Sequence, residues 1–145
     1  MEALLNGYLD GTVAHADFVV RYRIGDSFSG ETELDLHGDG TYDAVSTATA
    51  GRQRRSYRGQ LSIDEVQALV RALHEARIWE ARHVRSKPRE DDPLASLSVA
   101  ADGRDATVEL WVSEIGRVPP FAAAQDAVLD VIRRISGGEV LESGR

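Results

Sequence analysis

FVVRYRI at residues 18–24 and ETELDLH at residues 31–37 decide the fold, because both segments alternate apolar with polar side chains. Successive side chains of a β-strand point to opposite faces, so this alternation predicts two half-buried strands. The apolar face consists of Phe18, Val20, Tyr22 and Ile24 in the first segment and Thr32, Leu34 and Leu36 in the second. The sequence therefore predicts a sheet with one buried face.

The register of this first pair is predicted from its charges. Placing Val20 opposite Leu34 in an antiparallel pair keeps the apolar side chains on one face. The same placement joins opposite charges on the other face, namely Arg21 with Glu33, Arg23 with Glu31, and Asp17 with His37. We therefore predict an antiparallel pair of strands with Val20 beside Leu34.

Two more strands follow this pair. The tripeptide GDG at residues 38–40 supplies the glycines that a tight turn needs and predicts a third strand over residues 41–47. Its register pairs Leu36 with Tyr42 and Leu34 with Ala44. A fourth strand over residues 53–60 then sets Arg58 opposite Asp43.

The second half of the chain contains two helices and a second hairpin. The capping box SIDE at residues 62–65 begins an apolar pattern of helical spacing and predicts a helix over residues 63–77. The dipeptide DG at residues 102–103 predicts a two-residue hairpin turn. This turn pairs Leu97 with Val108, Val99 with Ala106, and Ala95 with Leu110. A second amphipathic helix is predicted over residues 121–136, after two prolines.

These elements predict an α+β fold with a single antiparallel sheet of about six strands, in the order β4-α-β2-α. Two helices are expected to pack on one face of the sheet. The length of 145 residues fits a single domain over residues 1–145. Within it we expect an N-terminal extension at 1–12, a charged mobile loop at 82–93 and a frayed tail at 139–145.

Composition restricts the classes of function. The chain has no cysteine, which excludes thiol catalysis and thiolate metal sites. Its net charge of −7 disfavours sequence-independent nucleic-acid binding, which needs a positive field. The sequence shows neither a signal peptide nor a membrane span, so we expect a cytoplasmic protein without membrane contact. Of the 17 basic residues only Lys87 is lysine, which suggests a GC-rich bacterial source.

One candidate metal site arises from two His-x-Asp motifs, at His15 and Asp17 and at His37 and Asp39. In the predicted register Asp17 faces His37 and His15 faces Asp39, so four potential ligands converge at one end of the hairpin. Two imidazoles with two carboxylates could hold zinc or manganese. Cross-strand Asp–His pairs also occur without metal, and the turn alone explains GDG. We therefore expect no cofactor and keep a small metal-dependent enzyme as an alternative.

A second candidate site is the arginine-rich segment RQRRSYR at residues 52–58. On a strand, Arg52, Arg54 and Arg58 would line the polar face, where they could bind phosphates or stack on bases. Alternatively they neutralise carboxylates of neighbouring strands, which the negative net charge favours. An anion or nucleic-acid binder is thus a second alternative.

The third candidate site is a group of apolar residues on the face that the helices leave open. The registers place Val19, Val45, Leu94 and Trp111 there, with Leu94 and Trp111 directly paired. An aromatic anchor among charged residues is typical of protein interfaces. Alternatively, the N-terminal segment or residues 113–119 cover Trp111 within the chain.

Catalytic motifs are otherwise absent from the sequence: it contains no GxSxG elbow, Walker loop, GxGxxG or HExxH. We assign no catalytic residue. The sequence therefore favours a non-enzymatic protein-binding or adaptor module of a bacterial system. Such a module would engage a partner protein, or a second copy of itself, through the open face or an edge of its sheet.

Overall fold

The computed structural model describes residues 1–26, 30–48, 53–82 and 93–137. The α-helices are α1 (Glu2–Asp10), α2 (Ile63–Glu75) and α3 (Pro119–Ile135). The strands are β1 (Val19–Asp26), β2 (Gly30–His37), β3 (Thr41–Ala48), β4 (Gln53–Gln60), β5 (Leu94–Ala101) and β6 (Arg104–Trp111). Short 3-10 helices span His15–Asp17, Ile78–Glu80 and Val112–Arg117.

The strands form one antiparallel sheet in the order β4-β3-β2-β1-β5-β6. The predicted α+β class and single six-stranded antiparallel sheet are confirmed. The predicted N-terminal extension contains a helix, α1, that the β4-α-β2-α order does not include. Of the predicted loop only Arg82 and Pro93 are described, and the predicted tail lies outside the described residues.

Three of the predicted registers are confirmed. Strand β3 pairs with its neighbours through Leu36↔Tyr42, Leu34↔Ala44 and Asp43↔Arg58. In the second hairpin Leu97 pairs with Val108 and Leu94 with Trp111. In the β2–β3 and β5–β6 hairpins a turn of defined length and the apolar alternation require the same pairing, so those registers have a single solution.

The predicted register between β1 and β2 is wrong by two residues. Val20 pairs with Leu36 rather than Leu34, so Arg21 faces Asp35 and Arg23 faces Glu33. A two-residue shift keeps every side chain on its face, because side chains repeat with a period of two. It also keeps arginines opposite carboxylates. Neither the apolar pattern nor the charges could therefore distinguish the two registers.

The core lies against the sheet face that carries Val20. Its sheet residues include Val20, Tyr22, Ile24, Leu34, Leu36, Leu97, Val99 and Leu110, each at most 4% exposed. The same cluster contains buried residues from every α-helix, among them Leu5, Tyr8, Leu69, Leu73, Phe121 and Val128. Helix α1 contacts both α2 and β5, and α2 contacts α3. The N-terminal segment is therefore part of the core.

Helix boundaries follow from local chemistry. Ser62 and Glu65 form the predicted capping box, with reciprocal hydrogen bonds of 3.1 Å. Helix α2 ends at Glu75, before Arg77 adopts a left-handed φ of 56°, so it is shorter than predicted. Helix α3 begins at Pro119, because a proline in the first turn loses no helical hydrogen bond.

Candidate functional site

The face opposite the core, here called the far face, carries a ladder of ion pairs across four strands. Arg58 Nε of β4 lies 2.9 Å from Asp43 Oδ1 of β3. Asp35 of β2 is 3.1 Å from Arg23 and 3.6 Å from Arg21, both of β1. Because these side chains are partly exposed, each pair contributes about 1 kcal/mol or less. The ladder therefore contributes little to the stability of the fold. Its main effect is to set the pattern of charges on the far face.

Asp35 is the most enclosed carboxylate of this ladder. Its Oδ1 atom is buried and makes no hydrogen bond, so the positive charges of Arg23 and Arg21 are what compensate it. Arg23 also donates to the carbonyl oxygen of Tyr22 at 3.1 Å. The guanidinium of Arg23 thus contacts Asp35, Glu33 and the backbone of Tyr22 on the far face.

The arginine-rich segment only partly agrees with an anion site. Arg54 and Arg58 lie on the far face of β4 and are exposed, whereas Arg52 lies outside the described residues. Arg58 is engaged by Asp43, as the register predicts. Arg54 pairs with Thr47 of β3. Of the three arginines proposed to bind anions, the two that are described, Arg54 and Arg58, are four positions apart on an outer strand.

Of the four apolar far-face residues, the structure brings two together. Leu94 and Trp111 are directly paired, and Leu94 is 38% exposed. Val19 pairs with Ala100, six residues along β5 from Leu94, which is about 20 Å in an extended strand. Val45 of β3 pairs with Glu33 of β2. Of the four residues proposed as a partner surface, Leu94 and Trp111 are therefore the two that are adjacent.

The backbone at Trp111 is held in place by hydrogen bonds within the chain. The Trp111 backbone N–H donates to Glu114 Oε2 at 2.9 Å, and the side chain of Glu114 is fully buried. The following residue, Val112, donates to the carbonyl oxygen of Pro93 at 2.9 Å. Trp111 is half-buried, whereas Leu94 is exposed, so Leu94 has the larger exposed fraction of the pair.

A depression of about 270 Å³ lies beside Leu94 on the far face. Gly25 pairs with Leu94 and has no side chain, which leaves a gap in that row of the sheet. The carboxylates of Glu31, Glu33 and Glu109 line the depression together with Arg23. Sequence analysis missed Gly25, although a glycine inside an alternating strand signals a break in the surface.

The proposed metal ligands are not brought together. His15 and Asp17 belong to a 3-10 helix, and His37 pairs with Val19 instead of Asp17. Asp39 accepts hydrogen bonds from the side chain and the backbone of Thr41, which hold the pKa of its carboxyl below the usual value. Within the described ranges, no three His, Asp or Glu residues are placed to hold a metal ion. The expected cluster depended on the incorrect register.

A cluster of three rings, those of Tyr8, Phe18 and His15, lies at this end of the sheet instead. The ring of Tyr8 lies 4.5 Å from that of Phe18 and 4.9 Å from that of His15. The Tyr8 hydroxyl donates to the carbonyl oxygen of Gly38 at 2.8 Å. Burial, and secondly the charge of Asp39, raise the pKa of Tyr8 above its usual value. His15 therefore packs against the ring of Tyr8, which is a structural role.

The sequence matches no protein-family model and no curated protein. In the parts of the chain that are described, no helix is both long and apolar enough to span a membrane.

Proposed function

We propose that this chain is a non-enzymatic protein-binding module that engages a partner protein through the far face around Leu94. The observation that carries the proposal is the exposure of Leu94 beside both Trp111 and the depression at Gly25. Tryptophan is enriched at the centre of protein interfaces, and Trp111 lies directly beside Leu94. The surrounding carboxylates resemble a polar rim.

The charges of the rim indicate the chemistry of the partner. Glu31, Glu33 and Glu109 line the depression. Among the described residues of its lining the one cation is Arg23, which is engaged by Asp35 and Glu33. A complementary surface would insert one apolar side chain beside Leu94 and place lysine or arginine near the carboxylates. We therefore expect a partner with an apolar residue flanked by basic ones.

A peptide library displayed on phage and selected against the immobilised full chain would test this proposal. We expect enriched peptides to contain an apolar residue flanked by basic residues. Binding of a labelled peptide should fall about 30-fold in Leu94→Asp, because a central anchor contributes about 2 kcal/mol. Amide signals of Gly25 and Glu109 should shift on binding in nuclear magnetic resonance spectra.

The matched control is Ser98→Asp, which adds the same charge on the same face of the same strand, beside Arg21. This variant should keep most of the binding, because Ser98 does not line the depression. The proposal would be abandoned if selection enriched no such peptide, or if Leu94→Asp bound the enriched peptides as tightly as the unaltered chain.

A further inference from the structure

Among the described residues, no further strand pairs with the outer edges of β4 and β6, so backbone hydrogen-bonding groups of these two strands point away from the sheet. In β6 the direction of these groups follows from the Val112 N–H, which donates to Pro93 across the hairpin. Bonded pairs recur at every second residue of an antiparallel ladder. The N–H and C=O groups between them therefore point away from β5, at Asp105, Thr107 and Glu109.

The same argument applies to β4. The Leu61 N–H donates to the Gly40 carbonyl oxygen at 2.8 Å, which makes these two residues a hydrogen-bonded pair. The next bonded pairs along the ladder are Tyr42 with Gly59, Ala44 with Tyr57, and Ser46 with Arg55. The backbone groups that point away from the sheet in β4 are therefore those of Arg54, Ser56 and Arg58.

The side chains of these outward residues carry opposite charges on the two edges. The register across the sheet places all of them on the far face. Strand β4 presents Arg54 and Arg58, and β6 presents Asp105 and Glu109. Each pair is separated by four residues with a small hydroxyl residue between them. The two edges are thus complementary in spacing, in charge and in hydrogen-bonding phase.

The number of strands permits the two edges to meet. Because six antiparallel strands form the sheet, β4 and β6 run in opposite directions. A second copy in the same orientation would therefore place its β4 antiparallel to β6 of the first copy. We propose that the chain associates head to tail with copies of itself through this pairing, with Arg58 opposite Asp105, Ser56 opposite Thr107 and Arg54 opposite Glu109.

A groove beside β6 provides room for the added strand on the core side. Its volume is about 520 Å³, and Met1, Trp79, Ala106 and Val108 are among the residues that line it. In the proposed register Tyr57 of the added strand lies opposite Ala106, so a large side chain meets a small one. The groove therefore accepts the core-side residues of β4.

The same charges oppose the symmetric pairings. Two β6 strands centred on Thr107 would place Asp105 opposite Glu109, and two β4 strands centred on Ser56 would place Arg54 opposite Arg58. Like charges directly opposite one another destabilise a sheet. The edges thus select a heterologous contact, which forms open chains of copies rather than a closed dimer.

This pairing shares Glu109 with the rim of the binding site at Leu94. Its other residues, Arg54, Ser56, Arg58, Asp105 and Thr107, lie outside that site, so each proposal can fail without the other. Sedimentation velocity of the full chain across a range of concentrations provides the test. We expect a series of oligomers that grows with concentration and decreases in 1 M salt, because salt screens exposed charges. A chain that stays monomeric at about 1 mM in low salt overturns the proposal.

Charge reversal tests the pairing directly. Arg54→Glu with Arg58→Glu, or Asp105→Arg with Glu109→Arg, should each weaken association at least tenfold. Mixing the two double variants should restore it, since reversed β4 then meets reversed β6. The control pair Arg71→Glu with Arg117→Glu changes the net charge equally at exposed sites outside the strands and should associate normally. Failure of the mixture to recover overturns the pairing.

The register is tested by disulfide formation, since the chain has no cysteine of its own. Ser56→Cys and Thr107→Cys, mixed as single variants and oxidised, should yield a 56–107 cross-linked dimer. Directly opposite residues lie within the distance that a disulfide spans. A mixture that instead cross-links Ser56→Cys with Arg104→Cys contradicts the register.

Discussion

The hydroxyl of Tyr8 donates a 2.8 Å hydrogen bond to the carbonyl oxygen of Gly38, joining α1 to the turn between β2 and β3. Tyr8 is 1% exposed, and its ring packs against those of Phe18 and His15. One residue thus attaches the N-terminal helix to the edge of a hairpin 30 residues away.

Replacing Tyr8 with phenylalanine should destabilise the chain at neutral pH. The substitution leaves the buried carbonyl of Gly38 without its partner, which costs about 1–3 kcal/mol. Urea unfolding followed by circular dichroism measures this loss. An unchanged free energy of unfolding would show that the hydrogen bond does not contribute.

Tyr8 should also make the protein sensitive to alkali. Its pKa is raised above 10.0 in the folded chain, so the unfolded chain releases this proton at lower pH. The stabilising contribution of Tyr8 is therefore complete below about pH 10 and decreases as the pH rises through the folded pKa. Between pH 8 and pH 11 the unaltered chain should lose more stability than Tyr8→Phe. Equal losses in the two proteins would contradict this assignment.

Gly38 should tolerate no side chain. An added Cβ would meet the His15 carbonyl oxygen and lie 2.8 Å from Tyr8 Cε1. Gly38→Ala should therefore cost about 1–3 kcal/mol through overpacking. Gly116→Ala is the control, because nothing lies within 4 Å of its added Cβ. Thermal unfolding of both variants measures the difference, and equal midpoints would be inconsistent with a closed site at Gly38.

The sequence predicted elements and faces well because these depend on periodicity and turn chemistry. The Asp102-Gly103 turn, for example, predicted the Leu94–Trp111 pair correctly. The register of β1 and β2 was not predicted, because a two-residue shift preserves both the apolar face and the charge pairs. The expected cluster of His15, Asp17, His37 and Asp39 depended on that register.

Other features required tertiary information. The sequence contains no signal that Tyr8 reaches Gly38, since a helix position fixes a face and not a distant partner. The depression beside Leu94 depends on Gly25 being its neighbour on β1. Complementarity between the outer strands depends on the order of all six strands, which the sequence pattern does not determine.

The two leucines Leu69 and Leu94 should respond differently to truncation. Leu69 is 3% exposed in the core, whereas Leu94 is 38% exposed on the far face. Leu69→Ala should cost about 2–5 kcal/mol, as expected for a buried cavity. Leu94→Ala should cost well under about 1 kcal/mol, because it removes no core contact. Chemical denaturation of both variants measures the contrast; similar losses would mean that Leu94 is covered.

The capping box of α2 should make stability depend on acid. Hydrogen bonds from the backbone and side chain of Ser62, and then the charge of Arg134, lower the pKa of Glu65 below 4.5. A depressed carboxyl pKa contributes stability above the unfolded value, and this contribution is lost as the pH falls through the folded pKa. Ser62→Ala should cost about 1 kcal/mol at pH 7 through loss of the cap. It should also reduce the loss of stability between pH 5 and pH 3, measured by urea unfolding.

Because Asp64 is exposed in the same helical turn, Asp64→Asn provides a matched control that leaves the capping box intact. If Ser62→Ala and Asp64→Asn showed the same acid dependence, Glu65 would not be the group that senses pH.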